Sequence, residues 1–284
     1  KDQTYQSYWS ISWNIFKKNK VAMVCLFIVI LLCLIALFAP LIAPYDPNKQ
    51  VLTDRLMKPC GQHWFGTDDL GRDIFSRIIY GCRVSLSVGI ISQIIATVIG
   101  YTMGVCAGYY GGKVDSVISF LIQVFSSFPF LLFAMAIMFV LGPGLINLYL
   151  ALGLLGWAST ARLIRGDVMR LKKMEYIDAC KVSGGNSFRI IMKHLLPNCL
   201  STLIVTVTLG IPNAIMSEAS LSFLGLGVKA PMASWGSMIS FSQPYIRSAT
   251  YYSVIPGLAI IITVLAFNML GDGLRDALDP KLRS

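Results

Sequence analysis

The sequence predicts an all-α integral membrane protein that crosses the bilayer six times and keeps both termini in the cytoplasm. Three observations predict it. Hydrophobic residues make up 55% of the chain and charged residues only 13%, where a soluble domain carries about 25% charge, and mean hydropathy is +0.67. The apolar residues fall into six runs near the ~20 residues that a bilayer core requires. Such runs must be helical, because lipid offers no water to satisfy an open backbone, and the alternation of a membrane barrel is absent. Finally, the basic residues are unevenly distributed between the runs.

Taken in order, residues 1–20 form a cytoplasmic segment with Lys1, Lys17, Lys18 and Lys20 set against Asp2. Because Lys1 opens the numbering, the sequence is expected to begin inside a longer one. The first span is 21–43. Lysines precede it as they would a signal peptide, but it is about twice as long as a usual signal-peptide core and more spans follow. It is read as a retained helix. Residues 44–80 form an extracytoplasmic segment balancing five acids against five bases. A core domain, 81–273, holds the remaining spans at 84–107, 116–141, 145–165, 199–224 and 251–271. Within it, segment 162–194 carries eight bases against the acids Asp167, Glu175 and Asp178. The positive-inside rule places that segment and the N-terminus in the cytoplasm. Six spans return the tail, 274–284, to the same side. Lys229 and Arg247 stand outside, against the trend. The net charge of +10 is thus topology bias rather than a nucleic-acid footprint.

Inside the spans, Gly100, Gly104 and Gly108 recur every fourth residue and make a smooth stripe where a neighbouring backbone can approach. Tight packing explains it, and a moving helix interface would use the same stripe. Arg83 and Glu218 lie at span margins, where bare charges are costly and seek partners. They are expected to pair and tie span two to span five, the alternative being two separate snorkelling side chains. Pro129, Pro212 and Pro256 fall in or near spans and can kink them. Seven cysteines show neither CxxC nor zinc spacing, although a Cys60–Cys82 bridge is compatible with the topology. His63 and His194 lie on opposite sides and form no dyad. No catalytic constellation and no GxxxxGK[ST] pattern is present, so no catalytic role, cofactor or metal is expected of this chain. If ATP drives it, another chain binds the nucleotide.

The stretch from Met174 to Asn198 reads as two short helices around a turn. The first covers about 172–182. Gly184 and Gly185 permit the positive φ of a helix C-cap. Ser187 is expected to cap the second, which runs to Leu195 and stops before Pro197. Tyr176, Ala179 and Val182 share one stripe, and Phe188, Ile191, Met192 and Leu195 share another face. An apolar surface outside the lipid must bury itself, either on this chain's own helix ends or in a partner's groove.

Here the sequence resembles the EAA motif of binding-protein-dependent ABC importer permeases, Glu-x-x-x-Ala-Ala, three residues, then Gly. Glu175, Ala179 and Gly184 match, and Cys180 replaces the second Ala. The runs 65–73 (FGTDDLGRD), 83–89 (RVSLSVG), 107–112 (AGYYGG), 221–227 (LSFLGLG) and 271–280 (GDGLRDALDP) are similar to the dipeptide/oligopeptide branch of that family, specifically its C-type subunit. The resemblance covers residues 13–283. It implies a type I importer permease fold in a bacterial or archaeal cytoplasmic membrane, with a coupling loop at 166–198. The implied partners are a homologous second permease, two cytoplasmic ATPase subunits that hold ATP and Mg, and an extracytoplasmic binding protein. Glu175, Tyr176, Asp178, Ala179 and Gly184 would form the ATPase-coupling surface. Peptide is the implied substrate, with nickel or a metal–metallophore complex as the alternative. A secondary transporter or channel is the competing class, but such carriers usually place acids deep in their spans, and Glu218 stands near one end.

Overall fold

The computed structural model describes residues 8–278. Lys1, Asp2 and residues 279–284 of the tail lie outside the described residues. The described elements are helices: α1 (Tyr8–Lys18), α2 (Lys20–Leu37), α3 (Ala39–Ile42), α4 (Ile74–Tyr110), α5 (Gly112–Ser127), α6 (Phe130–Leu141), α7 (Leu145–Leu171), α8 (Glu175–Val182), α9 (Ser187–Ile190), α10 (Leu196–Phe223), α11 (Trp235–Ser242) and α12 (Thr250–Leu278). Among them, α2, α4, α12 and the continuous helix Ser187–Phe223 are long and apolar enough to cross a bilayer. A fifth candidate is α5 with α6, which meet at 89°. Pro129 makes that break: it takes an extended ψ of 124° at the N-cap of α6, and Phe128 before it is also extended, as a residue preceding proline prefers. The predicted run 116–141 is therefore two helices. α7, at 27 residues, has the length to cross, but Gly153, Gly156, Ser159 and Thr160 interrupt its apolar surface.

The observed helices overrun the hydropathy windows. α4 begins ten residues before the predicted span at 84, because Asp73 accepts a bond from the Ser76 amide at 2.8 Å and caps the helix there. The predicted boundary between residues 80 and 81 thus falls inside one helix. At the other end, the helix expected to stop before Pro197 continues. A π-helical turn over Ile191–Leu195 precedes α10, and Pro197 falls in the first turn of α10. The wider turn makes room for the proline ring where an α-turn would clash.

The hub of the fold is the α4–α7 pair, which has the most extensive helix contact. The glycine stripe lies in this interface. A Cβ on Gly100 would stand 2.6 Å from the Thr160 Cβ, one on Gly104 2.7 Å from the Ala161 carbonyl oxygen, and one on Gly108 2.9 Å from the Arg165 carbonyl oxygen. The stripe thus lets two backbones meet, as in close-packed membrane pairs. α10 and α12 pack beside it, and α2 lies against α12 with much of its surface still exposed. Cys60 and Cys82 do not bridge. Cys82 is buried and its thiol donates to the Leu32 carbonyl.

Residues 45–77 make a cap over the ends of α4 and α12. Asp68 is its centre. The carboxylate is completely buried and accepts from the Leu70 and Arg72 amides and from Arg72 Nε at 2.6 Å. Arg77, equally buried, approaches Asp68 at 3.4 Å and donates to the Pro47 carbonyl. His63 Nδ1 lies 2.9 Å from Asp73. Tyr251 and Tyr252 of α12 bond to Met57 O and to Asp69. The FGTDDLGRD run is therefore a structural knot.

Candidate functional site

Three features carry the functional argument: the turn between α8 and α9, a large cavity, and a buried carboxylate.

The turn is built by glycine. Gly184 has φ +82°, a left-handed value that a side chain disfavours. Its N–H donates to the Lys181 carbonyl, and that of Gly185 to the Cys180 carbonyl. A Cβ on Gly185 would lie 2.6 Å from the Cys180 sulfur. The second helix is capped by Asn186, whose side chain accepts from the Arg189 amide at 2.8 Å, and not by Ser187 as expected. The Ser187 hydroxyl instead accepts from Tyr109 at 3.3 Å, and the Lys172 ammonium donates to the Tyr109 carbonyl at 2.5 Å. These two bonds anchor the turn to the end of α4.

The apolar residues of the turn divide into two sets. Ile177, Ile190 and Leu195 are fully buried with Ile164, Val168, Leu171 and Cys199. Tyr176, Ala179, Val182, Phe188 and Met192 point outward. Val182 is 90% exposed and Phe188 72%. The stripe of Tyr176, Ala179 and Val182 is thus exposed, although Tyr176 also lies against the His194 ring. The second predicted face splits, with Leu195 inside, Ile191 half-buried, and Phe188 and Met192 outside. Glu175 and Asp178 are exposed in the first turn of α8, where acids complement the helix dipole. Asp178 also pairs with Lys181 at 2.7 Å.

Between α4, α6, α7 and α10 opens a cavity of about 1020 Å³. Its wall is mostly apolar, with Phe130, Leu152, Leu163 and Leu209 among the lining, and hydroxyls and amides are set into it, among them Gln93, Ser159, Thr202, Thr206, Asn213 and Ser217. Asp167 and Arg275 are its charged groups, and Asp167 accepts from Thr202 at 2.5 Å. Beside it, Arg165 grips Asp115 with Nε at 2.5 Å and Nη2 at 2.8 Å, tying α7 to α5. Sequence reading missed this cavity, although a signal exists: Thr202, Thr206, Asn213, Ser217 and Ser220 recur at helical spacing along α10.

The expected Arg83–Glu218 pair does not form. Glu218 is completely buried, and its partners are hydroxyls. Oε1 accepts from Ser222 at 2.6 Å and from Ser234 at 2.7 Å, and Oε2 accepts from Ser85 at 3.5 Å. Ser85 also accepts from the Trp235 amide, and Ser234 from the Ser237 amide. Glu218 therefore joins α4, α10 and the start of α11. Arg83 is exposed and lines a separate pocket. The reason is the helical register: Ser85, two residues beyond Arg83, faces α10, so Arg83 faces elsewhere.

Comparison with known proteins fits this geometry. Residues 97–284 match the family described as the binding-protein-dependent transport system inner membrane component. The chain belongs to that family. Residues 7–59 match the N-terminal transmembrane domain of oligopeptide transport permease C. The permease is 46% identical over 278 residues to the dipeptide transport system permease protein DppC of Bacillus subtilis, covering 98% of this chain and 87% of that protein. It is 42% identical over 277 residues to the oligopeptide transport system permease protein OppC of the same organism, covering 98% and 91%. It is 41% identical to the glutathione transport system permease protein GsiD of Pectobacterium atrosepticum, covering 100% and 95%. In fold the permease is similar to the inward-facing methionine ABC transporter MetNI, with a TM-score of 0.58 at 19% identity over 72% of this chain and 98% of that one. The permease is a membrane-embedded transporter subunit, and the family sets aside the carrier and channel readings.

Proposed function

We propose that the permease is one half of the translocation path of an ATP-driven peptide importer. It crosses the bilayer six times, by α2, α4, the bent α5–α6 pair, α7, α10 and α12, with both ends cytoplasmic. The 1020 Å³ cavity is its share of the path. An apolar wall with scattered hydroxyls and amides, and one charge of each sign in Asp167 and Arg275, suits a cargo of variable side chains, because it offers contacts and hydrogen bonds without demanding one charge. The relatives named for dipeptides, oligopeptides and glutathione, itself a tripeptide, favour peptide. None of those names favours nickel or a metallophore.

One observation carries the coupling role: the turn around Gly184 presents Tyr176, Val182 and Phe188 outward while its other face is fixed in the core. An apolar knob on a rigid base fits a groove in a cytoplasmic ATPase subunit. It moves as a body with α7 and α10, so closure of the ATPases would swing the cavity walls. The homologous sister permease supplies the other wall, the ATPases hold ATP and Mg, and an extracytoplasmic binding protein delivers the peptide. Glu175, Tyr176, Asp178, Ala179 and Gly184 are the coupling residues in this reading.

Gly184→Pro tests it. Proline fixes φ near about −65° and removes the N–H, where the turn requires +82° and a bond to Lys181. The variant is expected to insert and assemble, yet to hydrolyse ATP without peptide uptake in proteoliposomes. Normal uptake would remove the coupling role.

A further inference from the structure

Arg83 is left over from the coupling and path assignments. It is exposed at the outer part of α4, and no acid lies within ion-pair distance of it among the described residues. It lines a pocket of about 390 Å³ whose wall also includes Asn48, Tyr80, Ser87 and Tyr149 and contains no carboxylate. The Tyr149 and Ser87 hydroxyls are 2.8 Å apart, so both are held in place. The Ser87 hydroxyl donates to the Val84 carbonyl at 2.7 Å, so Tyr149 donates to Ser87. The Arg83 guanidinium, the Tyr80 phenol and the Asn48 amide, with no competing acid, make a surface complementary to an anion. Guanidinium prefers a planar carboxylate, which it can hold with two parallel hydrogen bonds.

The pocket's position says where that carboxylate comes from. Along α7, Leu145 and Tyr149 line the pocket, while Leu152, Gly156, Ser159 and Leu163 line the large cavity. The steps between them alternate between three and four residues, which is one face of a helix. On α4, Tyr80, Arg83 and Ser87 line the pocket, whereas Ser92 and Gln93, which reach the cavity, lie around the helix on the side of Ser85. Pocket and cavity are thus stacked along one face of α7, the pocket toward the extracytoplasmic end. A group leaving the binding protein reaches the pocket before the cavity.

We propose that the Arg83 pocket is the first station of the path on this subunit and receives the α-carboxylate of the incoming peptide. The inference rests on the peptide-importer reading above. The pocket is large enough for a terminal residue, and small sites of this size typically combine an apolar wall with a few placed polar groups. Val84, Leu145 and Met232 supply that wall.

The test is uptake by the complete importer in proteoliposomes, at concentrations saturating the binding protein, with dialanine and its C-terminal amide compared. Arg83→Gln is expected to slow dialanine uptake about tenfold, the effect of losing one charge-assisted contact, and to leave uptake of the amide unchanged. Arg83→Lys should restore part of the dialanine rate. Equal loss for both peptides would overturn the proposal, because the anion held by Arg83 would then belong to a partner protein or a lipid. An unchanged dialanine rate in Arg83→Gln would also overturn it. Wild-type vesicles importing neither of these nor a longer alanine peptide would instead refute the peptide reading itself, and the inference with it.

Discussion

The cap at residues 45–77 and the turn at 172–198 are the two parts of this permease rich in charge, and they are built on opposite principles. At the centre of the cap, charge is buried and matched: Asp68 is surrounded by two amides and two arginines, and α12 reaches over to close it, while Leu52 and Trp64 stay exposed at the edge. In the turn, the charges lie on the surface and apolar side chains stand in the open. The centre of the cap, complete within its own chain, is a fixed scaffold. The turn, which leaves valine and phenylalanine exposed, is unfinished until something covers it.

Substitutions can break or sharpen that contrast. The largest effect is expected in the cap. Asp68→Ala strands two buried guanidinium groups, which costs about 3–5 kcal/mol when a buried pair loses one member; the thermal midpoint of the purified permease in detergent should collapse or the chain should fail to accumulate. Next is the inner face of the turn, where Ile177→Ala empties a fully buried site at about 2–4 kcal/mol. That loss should appear as earlier melting, and proteolysis should begin near the turn. Glu218 ranks third. It behaves as part of the scaffold but is held by hydroxyls, so Glu218→Gln keeps an acceptor for Ser222 and Ser234 and should cost about 1 kcal/mol. An intact importer in that variant agrees with the serine knot, whereas an ion-pair anchor would lose assembly. The smallest stability effect belongs to the outer face of the turn: Phe188→Asp should shift stability by no more than about 0.5 kcal/mol, yet abolish co-purification of the ATPase subunit. Retention of the ATPase by that variant would erase the distinction between the two regions.

The same physics decides which features the sequence displayed. The glycine stripe was legible because a missing side chain can only be an invitation to close approach, and α7 accepts it. The turn was legible because adjacent glycines flanked by short amphipathic runs have few other uses. The partnership of Glu218 was not legible. Sequence offered one acid and one arginine, while the solution used three serines from three separate elements, and serine is too common in membrane helices to announce itself. The α5–α6 bend was half visible: Pro129 marked the place, but hydropathy read straight through it because both arms are apolar.

What the sequence determined by itself is the environment and the unit of construction. Long apolar runs make lipid-spanning helices, and the ordered motifs name the family. Only tertiary structure decided which side of each helix matters. Hydropathy reports how apolar a stretch is, but not which neighbour each side chain meets, and the rotation of a helix about its axis is set by packing. That rotation buried Glu218 among hydroxyls, turned Arg83 toward an acid-free pocket, opened the cavity along the polar face of α10, and left Val182 and Phe188 facing outward.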